Sequence, residues 1–276
     1  MDMSLDLSPP VAKKQMSTVA PQEKWTTETL LSVHAWTDKL FSFTTTRSAS
    51  FRFVPGQFAR LGVTIPETGE IVWRAYSMAS ANYEEYLEFF SIVVPEGAFT
   101  TRLARFAPGD TILVEKVSYG FLTTDRFVGG RDLWLLSSGT GLAPFLSILH
   151  DPLVWNEYEN LIIVHSVREA NELAYREQIA EISQHPLLCD GKARLHYIPV
   201  VTRESVPETL STRITQLITE GTLEKKLDLP LDTEHSRLMI CGNPQMALDV
   251  REVLKQRGFQ VGRRGIPGQM AFENYW

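Results

Sequence analysis

Cysteine is nearly absent: Cys189 and Cys241 are the two in a chain of 276 residues. Two thiols cannot build a disulfide framework or a four-thiolate iron-sulfur cluster, and no zinc site or other metal is expected. Long apolar runs are missing too, since nothing approaches the roughly 20 residues a membrane helix needs. The opening residues, with Asp2, Asp6, Pro9, Pro10, Lys13 and Lys14, lack the apolar middle of a signal peptide, so a reducing, cytoplasmic setting is expected. Nor is there an excess of positive charge: 27 Lys and Arg face 33 Asp and Glu, with the signs interspersed. That balance argues against a nucleic-acid or anionic-membrane partner. What remains is ordinary globular composition, 43% hydrophobic and 22% charged, at a length suited to two domains.

Residues 1–22 read as a disordered extension. From 23 to 124, short β-branched and aromatic runs alternate with turn residues: Leu40-Phe41-Ser42-Phe43-Thr44, Phe53-Val54-Pro55-Gly56 before residues 57–63, then 71–77, 87–93 and 111–114. Six short strands of this kind predict an antiparallel β-barrel. A helix is expected over 100–106. After a polar connection, 123–131, the texture changes. Continuous apolar runs at 133–136, 161–164, 197–201 and 237–240 alternate with helical spacing at 142–149, 172–182, 213–219 and 244–256. Strand alternating with helix predicts an α/β domain over 131–276, with a parallel sheet covered on both faces.

Arg74-Ala75-Tyr76-Ser77 stands near the end of one alternating run, which puts Arg74 and Tyr76 on one face. A guanidinium grips a phosphate through paired hydrogen bonds, and a tyrosine covers a flat ring. A flavin nucleotide is the first candidate ligand; a plain strand with a surface arginine is the alternative. Gly139-Thr140-Gly141 lies where the first α/β strand turns into a helix, the place where a dinucleotide pyrophosphate meets backbone amides, though a tight turn alone has the same pattern. Arg168 and Arg203 follow two successive strands, and Arg213 opens the helix after the second. Cations there suit a 2′-phosphate, favouring NADP over NAD, while Glu169 and Glu204 beside them dilute the field. Cys241-Gly242-Asn243-Pro244 ends a later strand, so Cys241 is a candidate for the nicotinamide pocket or a small buried hydrophobe. Cys189 is expected in a loop. The terminal Tyr275 and Trp276 are expected to pack against a cofactor or the core.

These segments together resemble the bacterial ferredoxin/flavodoxin NADP reductase family, over about residues 24–276. The matching signatures are Arg74-Ala75-Tyr76-Ser77, Gly139-Thr140-Gly141-Leu142-Ala143-Pro144, Val201-Thr202-Arg203-Glu204, Cys241-Gly242-Asn243-Pro244-Gln245-Met246 and Tyr275-Trp276. The resemblance implies an FAD-binding barrel and an NADP-binding α/β domain. Arg74 would bind the FAD pyrophosphate, Tyr76 stack on the isoalloxazine with Ala75 beside it, and Ser77 bond near flavin N5. Val93, Gly97, Phe99 and Thr100 match a second FAD-contacting stretch. Thr140 and Gly141, with Gly242 and Asn243, match the nicotinamide and diphosphate side; Arg168, Arg203 and Arg213 match the adenosine-phosphate side. Tyr275 and Trp276 resemble an aromatic tail folded over the flavin. Ser77, Cys241 and Tyr275 would be the groups nearest the hydride as NADPH reduces FAD, which then passes single electrons to ferredoxin or flavodoxin. Lys116 and Arg263-Arg264 are candidate contacts for that acceptor, and a monomer is expected. A dedicated reductase of an oxygenase system and a nonenzymatic electron-transfer subunit are the alternatives.

Overall fold

Alternation of side chains between two faces organises the N-terminal half. Strands β1 (Trp25–Ala35), β2 (Leu40–Thr46), β3 (Phe58–Thr64), β4 (Ile71–Ser77), β5 (Tyr86–Ile92) and β6 (Thr111–Glu115) form one antiparallel sheet in the order β4-β3-β6-β1-β2-β5. The computed structural model describes residues 23–189, 191–262 and 266–273. The expectations for residues 1–22, Arg263-Arg264, Tyr275 and Trp276 therefore lie outside the described residues. Phe41 and Phe43 of β2, Leu87 and Phe89 of β5, Ala59, Leu61 and Val63 of β3, and Ile112 and Val114 of β6 meet in one core, each set two residues apart. Met78, just past β4, bridges to Phe89, so the curled sheet closes and its edge strands are covered. Helix α1 (Thr100–Leu103) adds Phe99 and Leu103 to the same core.

The second half is a parallel sheet of β7 (Asp132–Ser138), β8 (Asn160–Val167), β9 (Arg194–Val201), β10 (Ser236–Cys241) and β11 (Met270–Glu273), in the order β11-β10-β7-β8-β9. Period-two alternation splits its apolar runs between two cores. Leu133, Leu135, Leu161 and Ile163 pack with α2 (Ala143–Leu149), α3 (Pro152–Glu157), α4 (Arg176–Ile182) and α5 (Pro186–Cys189). Trp134, Leu136, Ile162 and Val164 pack with α6 (Ile214–Thr219), α7 (Thr222–Leu227) and α8 (Pro244–Gln256). Strand order reverses at β7, and the carboxyl end of such a reversal opens the crevice where α/β sheets take ligands. The first of these cores runs on into the barrel: Leu40, Phe90, Leu122 and Phe127 join Leu142, Phe145 and Leu146. Strands β2 and β5 thus bury one face inside the barrel and lend residues of the other to the second domain.

Local departures from the sequence expectations have local causes. The sixth barrel strand is β1, a threonine-rich run whose buried Glu28 accepts hydrogen bonds from the Thr26 and Thr46 hydroxyls, both at 2.6 Å. Phe53-Val54-Pro55-Gly56 leads into a turn closed by Gln57 N donating to the Val54 carbonyl at 3.1 Å. The helix expected over 172–182 begins only at Arg176, because Ala170–Glu172 forms a 3-10 turn and Tyr175 adopts left-handed backbone angles, φ 62° and ψ 10°. The helix expected over 100–106 ends at Leu103, beyond which the Arg105 and Phe106 amides reach carbonyls three residues back. Helices α3 and α7 and strand β11 were not anticipated, and Cys189 closes α5 rather than lying in a loop.

Candidate active site

One wall of the interdomain cleft is built by β4 and β5 where the barrel closes. Tyr76 is held in place from every side: its ring lies 5.5 Å from Phe99 and 6.3 Å from both Phe43 and Phe89. Its hydroxyl shares a 3.0 Å hydrogen bond with the Ser91 hydroxyl across the β4–β5 closure. Burial pushes the phenol up to about 12, so it stays protonated. Arg74, two residues earlier, is exposed and donates to the Trp73 carbonyl at 2.8 Å; it has no ion pair among the described residues. Ser77 is buried beside them, and the wall continues through Ser91, Ile92, Val94, Gly97, Phe99 and Thr100. The Thr100 hydroxyl accepts from Val94 N at 3.0 Å, which fixes the turn carrying Gly97.

The facing wall comes from the loops after β7 and β10, on the two sides of the strand reversal. Thr140, Gly141, Ala143 and Gly242 border the cleft. Backbone packs directly on backbone there: a Cβ on Gly141 would stand 2.3 Å from the Cys241 carbonyl oxygen and 2.6 Å from the Gly242 Cα. Gly242, at φ +133°, meets Ser138 in the same way, and Asn243 N donates to the Ser138 hydroxyl at 2.9 Å. The cavity between the walls measures about 340 Å3, within the range of small-molecule sites. Its lining combines the Arg74 cation, the rings of Tyr76, Phe90 and Phe99, and glycine backbone at Gly97, Gly141 and Gly242.

Further along the carboxyl edge, Arg203 N donates to the Arg168 carbonyl at 2.9 Å, which brings the ends of β8 and β9 together. Arg168, Arg203 and Arg213 are all exposed. None has a side-chain hydrogen bond or ion pair among the described residues, whereas Arg60, Arg131 and Arg257 are paired with Glu115, Asp132 and Glu224. The neighbouring acids are occupied locally: Glu172 accepts from the Arg168 and Glu169 amides, and Glu204 from the Ala170 amide. The edge therefore offers guanidinium groups whose acidic neighbours are already bonded to backbone.

Comparison with known proteins decides what kind of site this is. Residues 31–120 match the oxidoreductase FAD-binding domain and residues 135–252 the oxidoreductase NAD-binding domain. The chain is 46% identical to the ferredoxin–NADP reductase A of Sorangium cellulosum, covering 90% of this chain and 89% of that protein. It belongs to the ferredoxin–NADP reductase family. A second member, from Pseudomonas aeruginosa, is 44% identical over 90% of this chain and 96% of its own. The crystal structure of a Neisseria gonorrhoeae member with bound FAD and NADP superposes with a TM-score of 0.86 at 38% identity, covering 92% of this chain and 100% of that one. Members of this family are oxidoreductases, and the cleft joins the segments matched by the two domain models.

The structure brings together Arg74, Ala75, Tyr76, Ser77, Gly97, Phe99, Thr100, Thr140, Gly141 and Gly242 around one cavity. It does not bring Cys241 to the wall. That residue is fully buried, its neighbours across the sheet are Ser137 and Glu273, and burial with the Glu273 charge pushes its thiol up, so it is no thiolate. Val93 packs against the barrel core, and the Asn243 side chain caps α8 by accepting from Gln245 N and Met246 N at 2.9 and 3.2 Å. Phe90, Ser91, Ile92 and Ala143 line the cavity without having been singled out. Ser91 carried a usable signal: a buried tyrosine hydroxyl needs a partner, and Ser91 is the hydroxyl within the apolar run 87–93.

Proposed function

We propose that this chain carries electrons from NADPH through FAD to ferredoxin or flavodoxin. The observation that carries the reading is the single cleft in which Arg74 to Ser77 of the barrel face Gly141 and Gly242 of the parallel sheet. The cleft fits a flavin dinucleotide: Arg74 is a cation without an acidic partner among the described residues, Tyr76 is a ring held by three phenylalanines, and Gly141 leaves no room for a Cβ between the loops. When bound, FAD accepts a hydride from NADPH and releases the two electrons singly to a protein acceptor.

The residues act by binding and orienting. Arg74 holds the pyrophosphate, Tyr76 forms the wall for the flavin ring, and Ser77 offers a hydroxyl at the redox end. Gly97, Phe99 and Thr100 shape the turn beside the cofactor. Thr140, Gly141 and Gly242 let the nicotinamide nucleotide approach the backbone, and Arg168, Arg203 and Arg213 receive the 2′-phosphate. Tyr275 and Trp276 belong to this reading as a tail over the flavin. A monomer working in the cytoplasm completes it. The test is reduction of purified ferredoxin and flavodoxin by NADPH, under anaerobic conditions, in the presence of the FAD-loaded protein. Rapid reduction of either carrier supports the reading; a protein that NADPH reduces but that passes electrons to neither overturns the acceptor assignment.

A further inference from the structure

Tyr175 departs from local backbone rules and reaches across the domain boundary. It is a bulky residue at φ 62° and ψ 10°, a left-handed conformation that side chains with a Cβ avoid unless the surroundings impose it. Its side chain leaves α4 and is almost entirely buried, 4% exposed, against barrel residues. The ring lies 4.8 Å from Trp36 and meets Phe90 edge-on at 5.1 Å. Its hydroxyl donates to Glu88 Oε1 at 2.8 Å. Burial pushes the phenol well above its usual value, so it remains a donor. Trp36 is itself anchored, its indole N–H donating to the Ser42 hydroxyl at 3.2 Å.

The surroundings give this contact its leverage. Next to it lies a second cavity of about 410 Å3, walled by His34, Tyr86 and Glu88 from the barrel and Leu146, His150 and His185 from the α/β domain. Tyr175 lines this cavity too, so its side chain supplies a directional contact at the edge of the apolar core that joins the two domains. Phe90, which receives the Tyr175 ring, also lines the cofactor cleft, and Leu146 lies on α2, the helix that follows Gly141. The contact therefore reaches the barrel wall of the cleft through Phe90 and borders, at Leu146, the helix whose first residue, Ala143, lines the other wall.

We infer that Tyr175 is a positioning residue: with Glu88 it forms an interdomain clasp that sets the spacing between the flavin wall and the nicotinamide wall. The inference rests on the hydride-transfer reading above, but the clasp itself is testable without it. Hydride transfer requires near-contact of the two rings, and a shift of about 1 Å costs up to about a hundredfold in rate. Tyr175→Phe keeps the ring and deletes the hydroxyl, and with it the bonds to Glu88 and to Ser42 beside it. Glu88→Ala removes the acceptor, and Glu88→Gln keeps an acceptor oxygen.

The experiment measures two things on the FAD-loaded protein. Spin labels at Ser50→Cys in the barrel and Glu252→Cys on α8, in a Cys189→Ser background, report the interdomain distance distribution; rapid-mixing absorbance reports flavin reduction at saturating NADPH. In the parent protein the distance distribution is narrow. In Tyr175→Phe and Glu88→Ala it broadens, and flavin reduction slows about tenfold or more, with FAD content and NADP+ affinity unchanged. Glu88→Gln recovers the narrow distribution, and Tyr86→Phe, which removes a hydroxyl from the same cavity outside the clasp, leaves both readouts at parental values. A narrow distribution in Tyr175→Phe and Glu88→Ala overturns the clasp. So does an equal loss of FAD content and rate, which marks a general folding role. A broadened distribution in a protein that NADPH does not reduce supports the clasp and sinks the hydride-transfer reading instead.

Discussion

Gly141→Ala is the substitution whose cost the structure states most directly. The added methyl carbon would stand 2.3 Å from the Cys241 carbonyl oxygen, 2.5 Å from its carbon and 2.6 Å from the Gly242 Cα. Ordinary contact begins at 3.4 Å, so the two loops must part by about 1 Å, and every atom in the way is backbone. Overpacking of this kind costs about 1–3 kcal/mol. Much of the displacement must appear in the cleft, because Gly141 and Gly242 both line it. A shift of that size costs about a hundredfold in rate. The contrast lies two residues away: a Cβ on Gly139 meets nothing within 4 Å, and only its φ of +54° resists, a penalty of about 1 kcal/mol. Chemical denaturation and steady-state kinetics with NADPH separate the two. Gly141→Ala should lose NADPH-dependent turnover by a far larger factor than Gly139→Ala, although both lose stability. Equal activity in the two variants would refute the claim that close backbone approach between these loops builds the nucleotide wall.

Other expectations follow from the same geometry. Arg203→Ala should raise the KM for NADPH by about 10- to 100-fold, the worth of a charge-assisted hydrogen bond, leaving NADH turnover and thermal midpoint unchanged because the side chain has no partner among the described residues. Tyr76→Phe removes the bond to Ser91 across the barrel closure and should lower stability by about 0.5–1.5 kcal/mol, read by urea denaturation. His165 sits fully buried on β8, with Nδ1 3.3 Å from the Tyr197 hydroxyl, and burial holds it at about 4. Its unfolded value is higher, so the unfolded chain binds the extra proton: stability is full above about pH 6.5 and falls as pH drops from there toward 4. His165→Gln should flatten that fall in urea midpoints taken across the range.

What the sequence disclosed, it disclosed through periodicity and strand position. Arg74 and Tyr76 line one cleft because a strand alternates faces, and the three arginines share an edge because each follows a parallel strand or opens the helix after one. The alternation that splits the runs at 133–136 and 161–164 between two cores was equally legible. The same rule, applied to β10, would have sent Cys241 into the core with Met239 rather than toward the nicotinamide. Contacts made by closure were harder to read. Ser91 meets Tyr76 only because the barrel curls until β4 reaches β5, and Phe90 faces outward only because a second domain covers it. Tyr175 gave no local signal, since the groups its ring and hydroxyl meet, Trp36, Phe90 and Glu88, are all distant in sequence. Strand β1 was obscured by its threonines, although Thr26, with Thr46 of β2, bonds the buried Glu28 rather than marking a loop.

The central claim is that one cleft unites FAD with a nucleotide selected by its 2′-phosphate. Anaerobic titration of the FAD-loaded protein with NADPH, and separately with NADH, tests it through the flavin absorbance. The account predicts bleaching by stoichiometric NADPH and little response to equal NADH. Preferential bleaching by NADH, or none by either, would contradict it.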